Sequence, residues 1–235
     1  MKKKAVVSGA SSGIGREICS RLLDLGFSVI GISRSIKDDE FKSDDFQAIR
    51  ADLSDEISTQ IVCEELKGES IYILVNCAGV GRFEPHEELS AKSIKDMTFL
   101  NLTSAMLLSN TLLRSLKSNA GYLININSIE AIRASKFAGV YSATKAGLRA
   151  FGDSLFEETR KSGLSVVNIN PDMTKSAFYD ELRFDVSDKE DERLLASDIA
   201  DAVQHILSMR KGAVVSEYTL RSLNFGISKK RQAKT

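Results

Sequence analysis

The chain has 235 residues, 43% of them hydrophobic and 27% charged, with only two prolines, the composition of one globular domain with a sizeable core. Lys plus Arg and Asp plus Glu number 32 each, so the overall charge gives no reason to expect nucleic acid or an anionic membrane surface as a partner. The apolar run behind Lys2, Lys3 and Lys4 is too short for a signal peptide and no segment is long enough to cross a bilayer, so a cytoplasmic location is expected.

In chain order, strand-like apolar runs recur at residues 4–9, 28–33, 46–51, 71–76, 121–127, 164–170 and 213–220. Helix-length segments lie between them at 14–26, 56–67, 91–118, the stretch around and after Tyr141, and 197–209. In the first of these Ile14, Ile18, Leu22 and Leu25 fall on one helical face. Ser197 and Asp198 offer capping chemistry to the last. Strand then helix, repeated, with nearly unbroken apolar strands, predicts an α/β fold: a single doubly wound, Rossmann-like parallel sheet of about seven strands covered on both faces. No linker or solenoid repeat divides it, so residues 1–228 form one domain and the basic stretch 229–235 a mobile tail. Cys19, Cys63 and Cys77 are odd in number and set among apolar residues, which fits packed thiols better than bridges or metal ligands.

The first strand-to-helix turn reads SGASSGIG, from Ser8 to Gly15. Glycines there permit positive φ and close approach of a ligand, and a helix start favours a phosphate. Gly9, Ser11, Ser12, Gly13, Ile14 and Gly15 are therefore candidates to hold a nucleotide. The spacing G-x-x-x-G-x-G differs from the G-x-G-x-x-G fingerprint.

That spacing resembles the short-chain dehydrogenase/reductase family. The resemblance continues in order through Asp52-Leu53, Asn76-Cys77-Ala78-Gly79, Asn101, Ser128, Tyr141-x-x-x-Lys145 and Pro171. Tyr141 and Lys145, one helical turn apart, would by themselves read as a surface pair. The resemblance instead implies a catalytic set of Asn101, Ser128, Tyr141 and Lys145, with Tyr141 as general acid or base toward a carbonyl or alcohol. A fixed ammonium one turn away is expected to lower the phenol's pKa from its ordinary value of about 10. The resemblance further gives Lys145 a bond to the nicotinamide ribose, Ser128 the substrate oxygen, and Asn101 a water path.

The second strand ends in Ser33 and Arg34, with no acid to bond a ribose 2′-hydroxyl. A hydroxyl and a guanidinium suit a 2′-phosphate, which makes NADP(H) the preferred cofactor and leaves NAD(H) open. Family resemblance places Asp52 and Leu53 beside the adenine, Asn76, Ala78 and Gly79 on the cofactor floor, and Pro171, Met173 and Thr174 near the carboxamide, with Cys77 only packed in its turn. Asp172 departs from the glycine common after that proline, as either a carboxylate near the nicotinamide or a turn residue facing water. The charged segment 175–195 sits where relatives carry a substrate lid; Phe178, Tyr179, Leu182 and Phe184 would contact substrate or pack down. Arg133 and Phe137 are candidates for the substrate wall.

The expected function is oxidoreduction of a small carbonyl or alcohol, and the resemblance implies a homodimer or homotetramer. The ending VVSEYTLRSLNFG lacks the Asp-Gly-Gly with which acyl-carrier-protein reductases of that family end, and resembles instead the branch of NADP-dependent reductases acting on small carbonyl compounds or 3-hydroxy acids. The other class left open is a nucleotide sensor of the same fold with little turnover. No metal site is expected.

Overall fold

The structure, a computed structural model, describes residues 2–230. Strands β1 (Lys4–Ser8), β2 (Ser28–Ser33), β3 (Phe46–Arg50), β4 (Ile71–Asn76), β5 (Tyr122–Ile126), β6 (Ser165–Pro171) and β8 (Glu217–Leu220) form one sheet, in the order β3-β2-β1-β4-β5-β6-β8. Every pairing in it is parallel. The strand order reverses between β1 and β4, and ligands in such sheets bind beyond the carboxyl ends of the strands at that crevice.

Helices α1 (Gly13–Asp24) and α6 (Ala196–Ser208) cover one face; α2 (Glu56–Leu66), α4 (Ser104–Ser118) and α5 (Gly139–Thr159) cover the other. The period of two in β1 sorts its residues accordingly. Ala5 and Val7 pack with Ile18, Leu22 and Val203, while Val6 packs with Leu108, Leu112 and Leu155. Each such buried aliphatic side chain stabilises the fold by roughly 1.5–3 kcal/mol. Of the apolar face expected on α1, Ile18 and Leu22 are buried, whereas Leu25 is the exposed C-cap.

The predicted segment 91–118 is interrupted. α3 (Ala91–Thr98) runs into a π-helical turn, Phe99–Thr103, before α4 begins. At α6 the cap is Leu195; Asp198 serves from three residues on, its carboxylate accepting the Leu195 N–H at 2.8 Å. The last strand of the sheet begins at Glu217 rather than 213, and Arg149 of α5 holds Glu217 with paired bonds of 3.0 and 2.8 Å.

Two findings have no counterpart in the sequence reading. A second sheet pairs β7 (Phe184–Val186) antiparallel with β9 (Ile227–Lys229), so the chain beyond 220 folds back onto segment 175–195, and the backbone of Lys229, expected in a free tail, is paired. Residues 231–235 of that tail lie outside the described residues. Asparagines also cross the buried sheet. Asn76 donates to Asn125 Oδ1 (3.0 Å), Asn125 and Asn127 donate to Asn168 Oδ1 (3.2 and 3.1 Å), and Asn168 donates to Arg149 O (3.1 Å) and Asp153 Oδ1 (2.9 Å).

Candidate active site

The turn from β1 into α1 is a backbone cradle. Gly9 and Gly13 have φ of 72° and 52°, values that a side chain makes costly. At Gly15 a Cβ would collide with the Gly9 carbonyl, so the third glycine is required by close packing. Ser12 begins the helix with no side-chain cap and the first turn holds no acid, which leaves its leading amides and dipole available to an anion. Behind the turn, Ser11 Oγ accepts from Ser33 Oγ at 2.7 Å and Ser35 Oγ at 3.2 Å. Arg34 is exposed and forms no salt bridge among the described residues.

Tyr141, Ser128, Lys145 and Asn101 converge where β4 and β5 end. Tyr141 is buried under Phe83 and Phe178, whose ring centres lie 5.3 and 5.8 Å from its own. Burial pushes its phenol up to about 12, against the opposing effect of its hydrogen bond with Ser128; the nearby Glu130 carboxylate adds to the rise. Lys145 is buried as well, which lowers its pKa to about 8, and its ammonium donates to Ile126 O at 2.9 Å. The expected lowering of the phenol by Lys145 is therefore not found: desolvation of the tyrosinate dominates. Asn101 sits in the π turn, a feature frequent at functional sites. It clamps the Val80 backbone, accepting from Val80 N at 2.9 Å and donating to Val80 O at 2.8 Å, and also donates to Thr144 Oγ1 at 3.1 Å. A Cβ on Gly79 would lie 3.2 Å from Asn101 Oδ1 and 3.4 Å from Lys145 Nζ, so the loop after β4 joins this cluster.

A cavity of about 320 Å³ opens on Ser128 and Tyr141 and also borders Ile14, Pro171, Met173 and Thr174. Its roof is the segment after β6, which closes on itself where Leu194 N bonds Met173 O and Lys175 N bonds Leu194 O, both at 2.9 Å. Tyr179, Leu182 and Val186 form a small core there, with Phe83, Phe178 and Phe184 packed against it. These aromatics thus both pack down and line the cavity.

The comparisons with known proteins agree with this fold. Residues 3–187 match the family described as short chain dehydrogenase. The chain belongs to the short-chain dehydrogenase family. It is accordingly an oxidoreductase of that type. An acetoacetyl-CoA reductase from Acinetobacter sp. (strain RA3849) is 28% identical, over 96% of this chain and 98% of that protein. Among solved structures, an alcohol dehydrogenase from the archaeon Thermococcus sibiricus complexed with 5-hydroxy-NADP superposes with a TM-score of 0.85 at 26% identity, covering 95% of this chain and 97% of that one. A 4-hydroxyisoleucine dehydrogenase complexed with NADH shares the fold, with a TM-score of 0.82 at 23% identity over 94% and 98% of the two chains.

The side chains of the residues expected around the nucleotide site also make contacts within the protein. The Asn76 amide turns into the sheet, to Ser109 Oγ (3.1 Å) and Asn125. The Leu53 side chain lies in the core. Asp52 stands in a turn, accepting from Ser54 N (2.9 Å) and Ser54 Oγ (2.7 Å). Burial raises its pKa, but these bonds, helped by Arg34, bring it below the ordinary value. Thr174 donates to Asp172 O at 2.9 Å. Cys77 is packed, its thiol pushed up to about 12 by burial. Asp172 does not face water: its carboxylate is buried and accepts from Arg221 Nε (3.2 Å) and Met173 N (3.0 Å).

Two functional positions escaped the sequence reading. Ser8 Oγ receives the amides of Cys77 (2.9 Å) and Ala78 (3.0 Å), tying the loop after β4 to the glycine turn. Ser176, whose Cβ lies 3.0 Å from the place of a Cβ on Gly13, sets the start of the segment after β6 on the cradle. A serine at a strand end and one before a short helical turn are the only signals either gives.

Proposed function

We propose that this short-chain dehydrogenase interconverts a carbonyl and a secondary alcohol on a small substrate, using NADP(H) in preference to NAD(H). The observation that carries this reading is one cavity that borders both Ile14, in the uncapped first turn of α1, and the Ser128 and Tyr141 side chains. The cradle's free amides and close-packed glycines fit a nucleotide's phosphates, and Lys145 is the cation available to its ribose. A bound nicotinamide supplies or accepts the hydride.

The protein's own part is proton transfer and positioning. With its pKa near 12, Tyr141 is a neutral phenol at pH 7 and holds the proton that a reduced carbonyl oxygen takes up. Ser128 shares that proton's hydrogen-bond path and fixes the oxygen. Asn101 holds the Val80 backbone against α5 through Thr144, so it keeps the loop after β4 at the site. The aromatic lid excludes water from the reacting atoms. Ser33 and Ser11, with the exposed guanidinium of Arg34, suit a 2′-phosphate, and the 5-hydroxy-NADP complex of the archaeal alcohol dehydrogenase supports that preference. Residues 1–228 act as a single domain with residues 175–195 as its lid.

The test is NADPH oxidation with a panel of small ketones and aldehydes, repeated with NADH and with Arg34→Ala. Expected are turnover of at least one carbonyl and an NADPH preference of about tenfold or more, roughly 1.4 kcal/mol, that Arg34→Ala removes. Absence of turnover with both nucleotides overturns the reading.

A further inference from the structure

The cavity wall carries four charged side chains: Glu130, Arg133, Lys136 and Asp172. The two carboxylates are already satisfied. Glu130 accepts from Ser135 N (2.9 Å), Ser135 Oγ (2.7 Å) and Ser142 Oγ (3.1 Å), and Asp172 from Arg221 and Met173 N. The two cations are held more loosely, and the Arg133 guanidinium also lies 5.9 Å from the centre of the Phe225 ring. Arg133 reaches Glu130 Oε1 and Asp172 Oδ1 only at 3.4 and 3.5 Å, with its side chain 40% exposed. Charge-assisted bonds close at about 2.7–2.9 Å. Its Nη1 makes no hydrogen bond among the described residues. Lys136 forms no salt bridge among the described residues; its ammonium rests 4.7 Å from the centre of the Phe137 ring. With Arg221 counted, three cations face two carboxylates, which leaves one positive charge.

Arg133 is also well placed. One 3-10 turn, Ile129–Ala131, separates it from Ser128, and Arg133 N bonds Ile129 O at 3.0 Å. Arg133 therefore lines the same cavity as Ser128 and Tyr141, and the rings of Phe83, Phe178 and Phe184 line it too.

We propose that Arg133 is an anion subsite and that the substrate is a small oxo acid, or the corresponding hydroxy acid. Its carboxylate pairs with Arg133, its hydrocarbon body lies along the aromatic wall, and its carbonyl oxygen meets Ser128 and Tyr141. The inference rests on the carbonyl reading above. In the reduction the carbonyl carbon gains a hydride from the nicotinamide, the C=O π bond breaks, and the oxygen takes the Tyr141 proton. The carboxylate is unchanged. When Arg133 turns to the substrate, Glu130 and Asp172 keep their other donors, so no buried carboxylate is left unpaired.

The experiment compares kcat/KM for pyruvate, acetoacetate and levulinate with their methyl esters, in wild type, Arg133→Gln and Arg133→Lys. Calorimetric titration of levulinate into the NADP-loaded protein runs alongside. In wild type at least one acid should exceed its ester by about tenfold or more. Arg133→Gln should bring that ratio near one, chiefly through KM, with Arg133→Lys between. Equal use of acids and esters by wild type overturns the proposal, as does an Arg133→Gln protein that loses activity on both while keeping the ratio, the result of a purely structural tether. If no carbonyl of either kind is reduced, the carbonyl reading falls and the titration decides the subsite: binding to wild type but not to Arg133→Gln sustains it, and equal or absent binding removes it.

Discussion

The Lys145 ammonium stands 5.9 Å from the centre of the Tyr141 ring yet gives its hydrogen bond to Ile126 O at 2.9 Å. Both groups are buried and each is pushed toward its neutral form, Tyr141 up to about 12 and Lys145 down to about 8. For Lys145 the charged form is present below about 8 and is lost as pH rises through that value. If its charge helps hold the nucleotide, the Kd of NADPH should weaken as pH rises through about 8, and fluorescence titration of wild type against Lys145→Met reads it directly. The variant should bind less tightly and show no such step.

The same shift makes a stability prediction. A lysine whose folded pKa lies below its unfolded value destabilises the fold most at pH below the folded pKa, and the penalty fades as pH climbs toward about 10.5. The nucleotide-free Lys145→Met protein should therefore melt higher than wild type at pH 7, by a few degrees, while losing activity. Differential scanning calorimetry checks the direction. An unchanged or lower Tm would show that the lost bond to Ile126 O matters more than relief of the buried charge.

Gly15 lies against the Gly9 carbonyl with no room for a methyl. Gly15→Ala should destabilise by about 1–3 kcal/mol through overpacking and weaken NADPH at least about tenfold. Urea unfolding and nucleotide titration measure the two effects separately. Near-native values for both would mean that α1 shifts freely against β1.

Most of the fold was legible because it rests on period. The runs around Val6, Ile30, Leu74 and Val167 alternate with helical stretches, and burial of both sheet faces follows from that pattern alone. The order of Gly9, Asn101, Ser128, Tyr141 and Lys145 pointed to one site only through the family resemblance: Gly9 and Ser128 follow strands, whereas Asn101, Tyr141 and Lys145 lie in helical segments. What stayed illegible depends on distant partners. The antiparallel pairing of residues 184–186 with 227–229 spans segments too short and too charged to announce a strand. The π turn around Asn101 has no residue signature, and the raised phenol of Tyr141 arises from burial beneath Phe83 and Phe178, which no local spacing reports.

Asn168 makes four side-chain hydrogen bonds between β5, β6 and α5. Asn168→Leu leaves those partners without a mate and meets Gly152, beside which the asparagine packs closely. A loss of about 3 kcal/mol or more is expected from unsatisfied buried groups and strain. A loss below about 1 kcal/mol in chemical denaturation would mean that water replaces the asparagine.

The fold-back of the chain end pins the segment after β6, the proposed lid: β9 pairs with β7, and the Lys230 ammonium bonds the carbonyls of Tyr179 and Asp180. Removing residues 226–235 should make the segment 180–190 the first site of limited proteolysis and raise KM, with the sheet core intact by circular dichroism. Unchanged cleavage kinetics would show that the small core around Tyr179, Leu182 and Val186 closes the lid unaided.

The central claim is that Tyr141 delivers the proton in a reaction whose nucleotide is held elsewhere. The most direct measurement is steady-state turnover of the best carbonyl substrate by Tyr141→Phe, together with its Kd for NADPH. The account predicts a fall in kcat of about 10²–10⁴ with NADPH affinity within about threefold of wild type. Turnover at the wild-type rate by Tyr141→Phe would contradict it.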